Sequence, residues 1–152
     1  MIEKDIEQNI IKKIKELNLE GLDIGGLWQP VETGLVKNIE SSESIGGLII
    51  KVNPKGWETY GLSTIEMQIQ LSLVVRLELD PTGEHLVEYC DSISGLLEQW
   101  NSVKSNEELT DFVVEGFIPG GVQISKGQGP DYDSDGKTWS VIFTISLRGS
   151  VD

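Results

Sequence analysis

Hydrophobic residues recur along this chain with two different periods, and each period marks a different kind of element. At the N-terminus Ile2, Ile6, Ile10, Ile14 and Leu17 are three or four residues apart, with Ile11 beside them and Lys and Glu on the other faces. That is the spacing of an amphipathic helix. Asn18 and Gly21 supply its stop signals. Further on, Ile65, Met67, Ile69, Leu71, Leu73, Val75, Leu77 and Leu79 are apolar at every odd position. Glu66, Gln68, Gln70, Ser72, Arg76 and Glu78 stand between them, with Val74 the one exception. This alternation predicts an amphipathic strand with one buried face. Residues 65–79 at ~3.3 Å each would reach about 50 Å, far beyond the usual strand. Such a strand bends, carries a bulge, or projects beyond its own domain, and projection would suit a subunit that pairs with neighbours.

The other elements follow from shorter signals. Gly25-Gly26 opens a looser stretch holding Trp28 and Pro30, with a short strand at 34–38 and a Ser- and Glu-rich loop at 39–46. Leu48-Ile49-Ile50-Lys51-Val52, closed by Asn53-Pro54, reads as a strand. A loop with Trp57 and Tyr60 leads to the long strand, which ends at Asp80-Pro81-Thr82-Gly83. A second helix then places Leu86, Tyr89, Cys90, Ile93, Leu96, Leu97 and Trp100 on one face, and Glu84, Glu88, Asp91 and Glu98 on the other. Ser105-Asn106-Glu107-Glu108 has a capping-box pattern. Residues 112–118 read as a strand that turns at Pro119-Gly120-Gly121 and pairs back through 122–125, before a polar loop from Lys126 to Lys137. The last strand alternates Trp139, Val141, Phe143, Ile145 and Leu147 with Thr138, Ser140, Thr144, Ser146 and Arg148. The expected fold is α+β: a mostly antiparallel sheet with one long strand, and an N-terminal and a central helix packed on one face. With 152 residues, no internal repeat and no interdomain linker, residues 1–152 read as one domain.

Charge narrows the function classes. Twelve Lys and Arg stand against 25 Asp and Glu, a net charge of −13. Binding to DNA or RNA through an open basic face is disfavoured, because affinity there comes from neutralising phosphates. Anionic membranes are disfavoured for the same reason. The lone Cys90 cannot form an internal disulfide. The charged N-terminus begins no signal peptide, and no apolar run reaches the ~18–20 residues that cross a bilayer. A soluble product of a reducing cytoplasm is expected.

Candidate chemistry is sparse. A nucleophilic triad needs a base beside Ser, Cys or Thr. The sole histidine, His85, falls in the first turn of the second helix, and Cys90 is rotated well away from it on the apolar face. Gly127-Gln128-Gly129 lacks the Gly-Lys-Ser/Thr of a phosphate loop. Asp131-Tyr132-Asp133-Ser134-Asp135-Gly136 matches the opening of a calcium loop, in which Asp131, Asp133 and Asp135 would converge on one cation and Gly136 would permit the turn. The twelfth position is Ile142 instead of a bidentate Glu, and the exit reads as strand, so an acidic turn accounts for the same residues. Trp100 and Trp139 fit apolar faces. Trp28 and Trp57 sit in Gly- and Pro-rich loops, as buried plugs or as anchors for a partner. No catalytic, cofactor or metal residue is assigned.

The order of elements is similar to that of a known family. An amphipathic N-terminal helix, a loop-rich region, the strand at Leu48 to Val52, the long alternating strand from Ile65 to Leu79, an acidic helix and a Trp-bearing final strand follow one another. The layout resembles the tail-terminator proteins of long-tailed bacteriophages, of the lambda minor tail protein U type. The local likeness is greatest from Asp131 to Leu147, where an Asp-rich loop and Gly136-Lys137-Thr138-Trp139 enter an alternating strand. The resemblance implies a non-enzymatic structural subunit without cofactor, made in the bacterial host cytoplasm and destined for the virion tail. It implies a hexameric ring that caps the tail tube, ends its polymerisation and forms the surface joining the head. The implied partners are further copies of the chain, the major tail (tube) protein and a head-completion or connector protein. No membrane is involved, and DNA only passes through the lumen, past an acidic wall that repels it. The alternatives are another head–tail connector or tail-completion subunit, or a calcium-binding adaptor built on Asp131 to Gly136.

Overall fold

The computed structural model of the protein describes residues 2–26, 45–54, 64–102, 112, 114–134 and 137–151. The predicted strand at 34–38, the loop carrying Trp57 and Tyr60, the capping pattern at 105–108, and Trp28 lie outside the described residues.

The first helix, α1 (Ile2–Lys15), forms where the 3.6-residue spacing predicts it. Ile6, Ile10 and Ile14 are fully buried and Ile11 nearly so; each contributes roughly 1.5–3 kcal/mol by leaving water. Glu3 and Asp5 in the first turn and Lys12, Lys13 and Lys15 in the last complement the helix dipole. The helix closes with tighter bonds, Leu17 N–H to the Ile14 carbonyl (3.0 Å) and Asn18 N–H to that of Lys15 (3.2 Å). Asn18 then takes a left-handed φ of 53°, a conformation Asn tolerates at helix ends.

The chain turns at Gly21 into β1 (Leu22–Gly26). Gly21 has φ 79°, and a Cβ there would lie 2.8 Å from Ile45 Cδ1, so only glycine fits. Gly25 and Gly26, expected to open a looser stretch, belong to this strand instead. β1 pairs in parallel with β2 (Gly46–Pro54), from Leu22↔Gly46 to Gly26↔Ile50. The inward residues Leu48, Ile50 and Val52 of β2 are buried.

Next come β3 (Thr64–Arg76), α2 (Glu84–Ser102), β4 (Phe117–Asp133) and β5 (Thr138–Val151). The strands form one five-stranded sheet in the order β1-β2-β3-β5-β4, antiparallel except for β1 with β2. The architecture is therefore the expected α+β. Both helices lie against the apolar face, where Met67, Ile69, Leu71, Leu73 and Val75 of β3 join Val141, Phe143, Ile145 and Leu147 of β5 in one core with α1 and α2.

Two expectations are corrected. The long alternating strand ends at Arg76, not Leu79. Leu77 to Leu79 form a turn, with Leu79 N–H bonded to the Arg76 carbonyl, and Leu79 is 41% exposed. β3 also finds its partners at home: its register with β5 is unbroken from Thr64↔Ser150 to Arg76↔Thr138, and β2 covers Met67 to Val75 on its other edge. It carries no break in register and does not project. The second correction concerns 117–133. The turn at Pro119-Gly120-Gly121 and the loop after Lys126 are replaced by one 17-residue strand, β4, which absorbs its prolines and glycines in three register shifts. An edge strand tolerates residues that cannot donate to a second neighbour. The expected strand segment before Phe117 is instead a turn at Glu115-Gly116, closed by Phe117 N–H to the Val114 carbonyl (3.2 Å).

Candidate interaction surfaces

The turn between β3 and α2 places the residues that sequence chemistry singled out. Gly83 precedes α2 and has no side chain to cap it. Asp80 does so from three residues upstream: its Oδ1 accepts from the His85 N–H at 3.0 Å and its Oδ2 from the Leu86 N–H at 2.8 Å. The carboxylate is buried, and its charge satisfies helix N–H groups and complements the dipole. Sequence reading took Asp80 as a turn residue only. The signal was present, an Asp upstream of a side-chain-less cap position.

His85 therefore has its backbone engaged in the helix cap, while its imidazole lies outward, 4.0 Å from a Glu88 carboxylate oxygen. Cys90 lies one and a half turns on, half-buried against the core. Burial pushes its thiol above the ordinary range, and the nearby Asp91 adds to the effect. A thiol held protonated is a poor nucleophile. The two groups are not brought together, as their spacing along the helix predicts.

Tyr89 ties α2 to the turn between α1 and β1. Its hydroxyl donates to the Glu20 carbonyl at 2.5 Å, and its side chain is buried. Its phenol is pushed up to about 12, first by burial, then by the carboxylates of Glu88, Asp80 and Glu20. It is a structural bridge between distant segments.

The acidic stripe Glu84, Glu88, Asp91 and Glu98 is exposed along α2. Asp131 and Asp133 are also exposed, at alternate positions of β4 opposite Ser140 and Thr138. Asp135 and Gly136 lie outside the described residues, so the calcium-loop reading gains no geometry. Among the described residues no group of three or more His, Cys, Asp or Glu is placed to hold a metal ion. Trp100 is buried edge-on against Phe112, ring centroids 4.9 Å apart. Trp139 is half-buried beside Tyr132, centroids 5.1 Å apart, near the end of the β4–β5 hairpin.

Among the described residues, a surface of distinct character is the outward face of β2, β3 and β5. Its register places Asn53, Gln68 and Ser146 in one row, Lys51, Gln70 and Thr144 in the next, and Ile49, Ser72 and Ile142 in a third. Nearly all are half-exposed. Of the chain's 25 acids only Glu66 lies in β2, β3 or β5, and it faces Arg148 at 3.7 Å. These three strands also hold Lys51, Arg76 and Arg148, so the net charge of −13 resides elsewhere. Sequence reading missed this contrast because the outward residues of the strands read only as the polar half of an alternation.

Among the described residues no helix is long and apolar enough to cross a membrane. Neither a protein-family model nor a curated protein matches this chain.

Proposed function

We propose that the protein is a structural subunit of a bacteriophage or prophage tail, made in the host cytoplasm and built into the virion. It caps the tail tube, ends its polymerisation and presents the surface to which the head joins, acting as a ring of several copies. The observation that carries this reading is the broad, charge-poor outward face of β2, β3 and β5 on a strongly acidic chain. A sheet face with Gln, Ser and Thr around Ile49, Val74 and Ile142 suits packing against another protein surface, since its charges are few: Lys51 and the pairs Arg148–Glu66 and Arg76–Glu78. The α+β class is the one the resemblance to tail terminators implies. The protein acts through shape and assembly, without catalysis or cofactor. Its partners are further copies of itself, the tube protein and a head-completion protein. DNA crosses the ring lumen without specific binding, repelled by the acidic surface.

The test is deletion of the gene from its phage. Tails of abnormal, overgrown length in electron micrographs are the expected result. Tails of normal length overturn the reading. Light scattering on the purified chain, alone and with tube protein, then gives the number of copies in the ring.

A further inference from the structure

The second surface lies on the other side of the sheet, where α2 passes over the edge strand β4. Between them opens a groove of about 430 Å³, lined by Ser94, Leu97, Glu98, Ile124, Gly127 and Phe143. Its apolar floor comes from Leu97, Ile124 and Phe143. Gly127 lets β4 approach the Phe143 ring closely, since a Cβ there would already lie 3.2 Å from two ring carbons. Asp91, Ser94 and Glu98 share one face of the helix above the groove, at the i, i+3 and i+7 positions, and all three are exposed. Along α2, residues 84–102 hold four acids (Glu84, Glu88, Asp91 and Glu98) and no Lys or Arg, whereas Asp131 and Asp133 of β4, paired with Ser140 and Thr138, lie on the opposite face of the sheet.

An apolar floor beside an acidic helix face selects its occupant by charge. Nucleic acid and anionic lipid are repelled. A second copy of the chain, with 12 basic residues to 25 acidic ones, is a poor match. We propose that the α2–β4 groove docks a basic amphipathic segment of a partner protein. Its apolar side chains seat on Leu97, Ile124 and Phe143, and its Lys and Arg side chains face Asp91, Glu98 and the other acids along α2. Apolar contact supplies the affinity, while charge supplies selectivity and speeds encounter. This inference does not rest on the tail-terminator reading and survives if tail length is normal in the deletion.

The experiment uses the full chain and a fluorescent peptide of Leu and Lys patterned as an amphipathic helix, with a Leu and Glu counterpart, read by anisotropy. Saturable binding is expected for the Lys peptide and none for the Glu peptide. Ser94→Trp fills the groove from an exposed helix position, and Asp91→Lys with Glu98→Lys reverses its rim; each weakens binding about tenfold or more. Asp5→Lys with Glu16→Lys makes the same change in net charge on exposed positions of α1 and the turn that follows it, and shifts affinity less than about twofold. Thermal melts confirm that every variant is folded. The proposal is overturned if the Lys peptide shows no saturable binding, if the α1 pair weakens it as much as the groove pair, or if Ser94→Trp leaves it unchanged.

Discussion

β3 and β4 flank β5 on either side and are both unusually long, yet they are built on different terms. β3 is bonded along both edges, with an unbroken register to β5, and every inward residue from Met67 to Val75 is fully buried. β4 pairs with β5 through three register shifts, and among the described residues no second strand lies beyond it. Its inward Val122 and Ile124 are only half-buried, while Gln123, Ser125, Gly127 and most residues from Gly129 to Asp133 are exposed. A strand held on both sides has one permitted register, and a slip of one residue would turn its whole apolar set to water. A strand held on one side can carry bulges, prolines and glycines. Those same features blunt its free edge against pairing with another chain. If copies of this protein assemble, packing through the outward sheet face is favoured over extension of the sheet at β4.

The largest expected effect lies in the centre. Leu71→Ala in β3 should cost about 2–5 kcal/mol in denaturant unfolding, the range for a fully buried leucine. The counterpart in β4, Ile124→Ala, should cost roughly 1–2 kcal/mol, because its site is half-open and adjoins the groove. Equal losses would erase the distinction between the strands.

The turn leaving β3 comes next. Asp80→Ala removes a buried charged cap and should destabilise by about 1–3 kcal/mol, while Asp80→Asn, which keeps an acceptor, should recover part of the loss. Tyr89→Phe should cost about 1 kcal/mol through its bond to Glu20. This contribution has a pH signature. The phenol sits near 12 in the folded protein against an ordinary 10.0, so the folded state holds the proton longer than the unfolded chain. The stabilisation is complete below pH 10.0 and is lost as pH rises toward 12. Melting curves of the wild type should fall more steeply across that interval than those of Tyr89→Phe.

The smallest effect belongs to the exposed edge. Gln123→Lys on β4 should change stability by no more than about 0.5 kcal/mol. A larger loss would mean that this strand is covered by something in solution.

The elements most readily legible in the sequence were those whose periodicity is imposed by a single buried face. α1, α2, β3 and β5 could be read from Ile6-Ile10-Ile14, Leu86-Ile93-Trp100, Met67 to Val75 and Val141 to Leu147, because each inward position meets the same core. The reading overran at Leu77 and Leu79, where two turn residues continued the alternation by chance. It failed at β4, since Pro119, Gly120 and Gly121 carry the local chemistry of a turn, and only the presence of β5 alongside holds them extended. It also missed β1, whose two glycines extend because β2 lies beside them in parallel register. Of the candidate surfaces, the acidic stripe on α2 was legible. The groove beside it was not, because Leu97, Ile124 and Phe143 come from three separate elements.

By itself, then, the sequence determined the α+β class, the buried faces of the two helices and the central strands, and the separation of His85 from Cys90. All of these follow from spacing along one element, which the backbone geometry of helix and strand translates directly into direction. The tertiary structure alone decided where β3 stops, that residues 117–133 run as one edge strand, that Asp80 caps a helix beginning beyond it, and that the outward face of β2, β3 and β5 carries a single acid. Each of these depends on which segment lies next to which, and the free energy that selects such neighbours comes from burial and pairing between residues far apart in the chain.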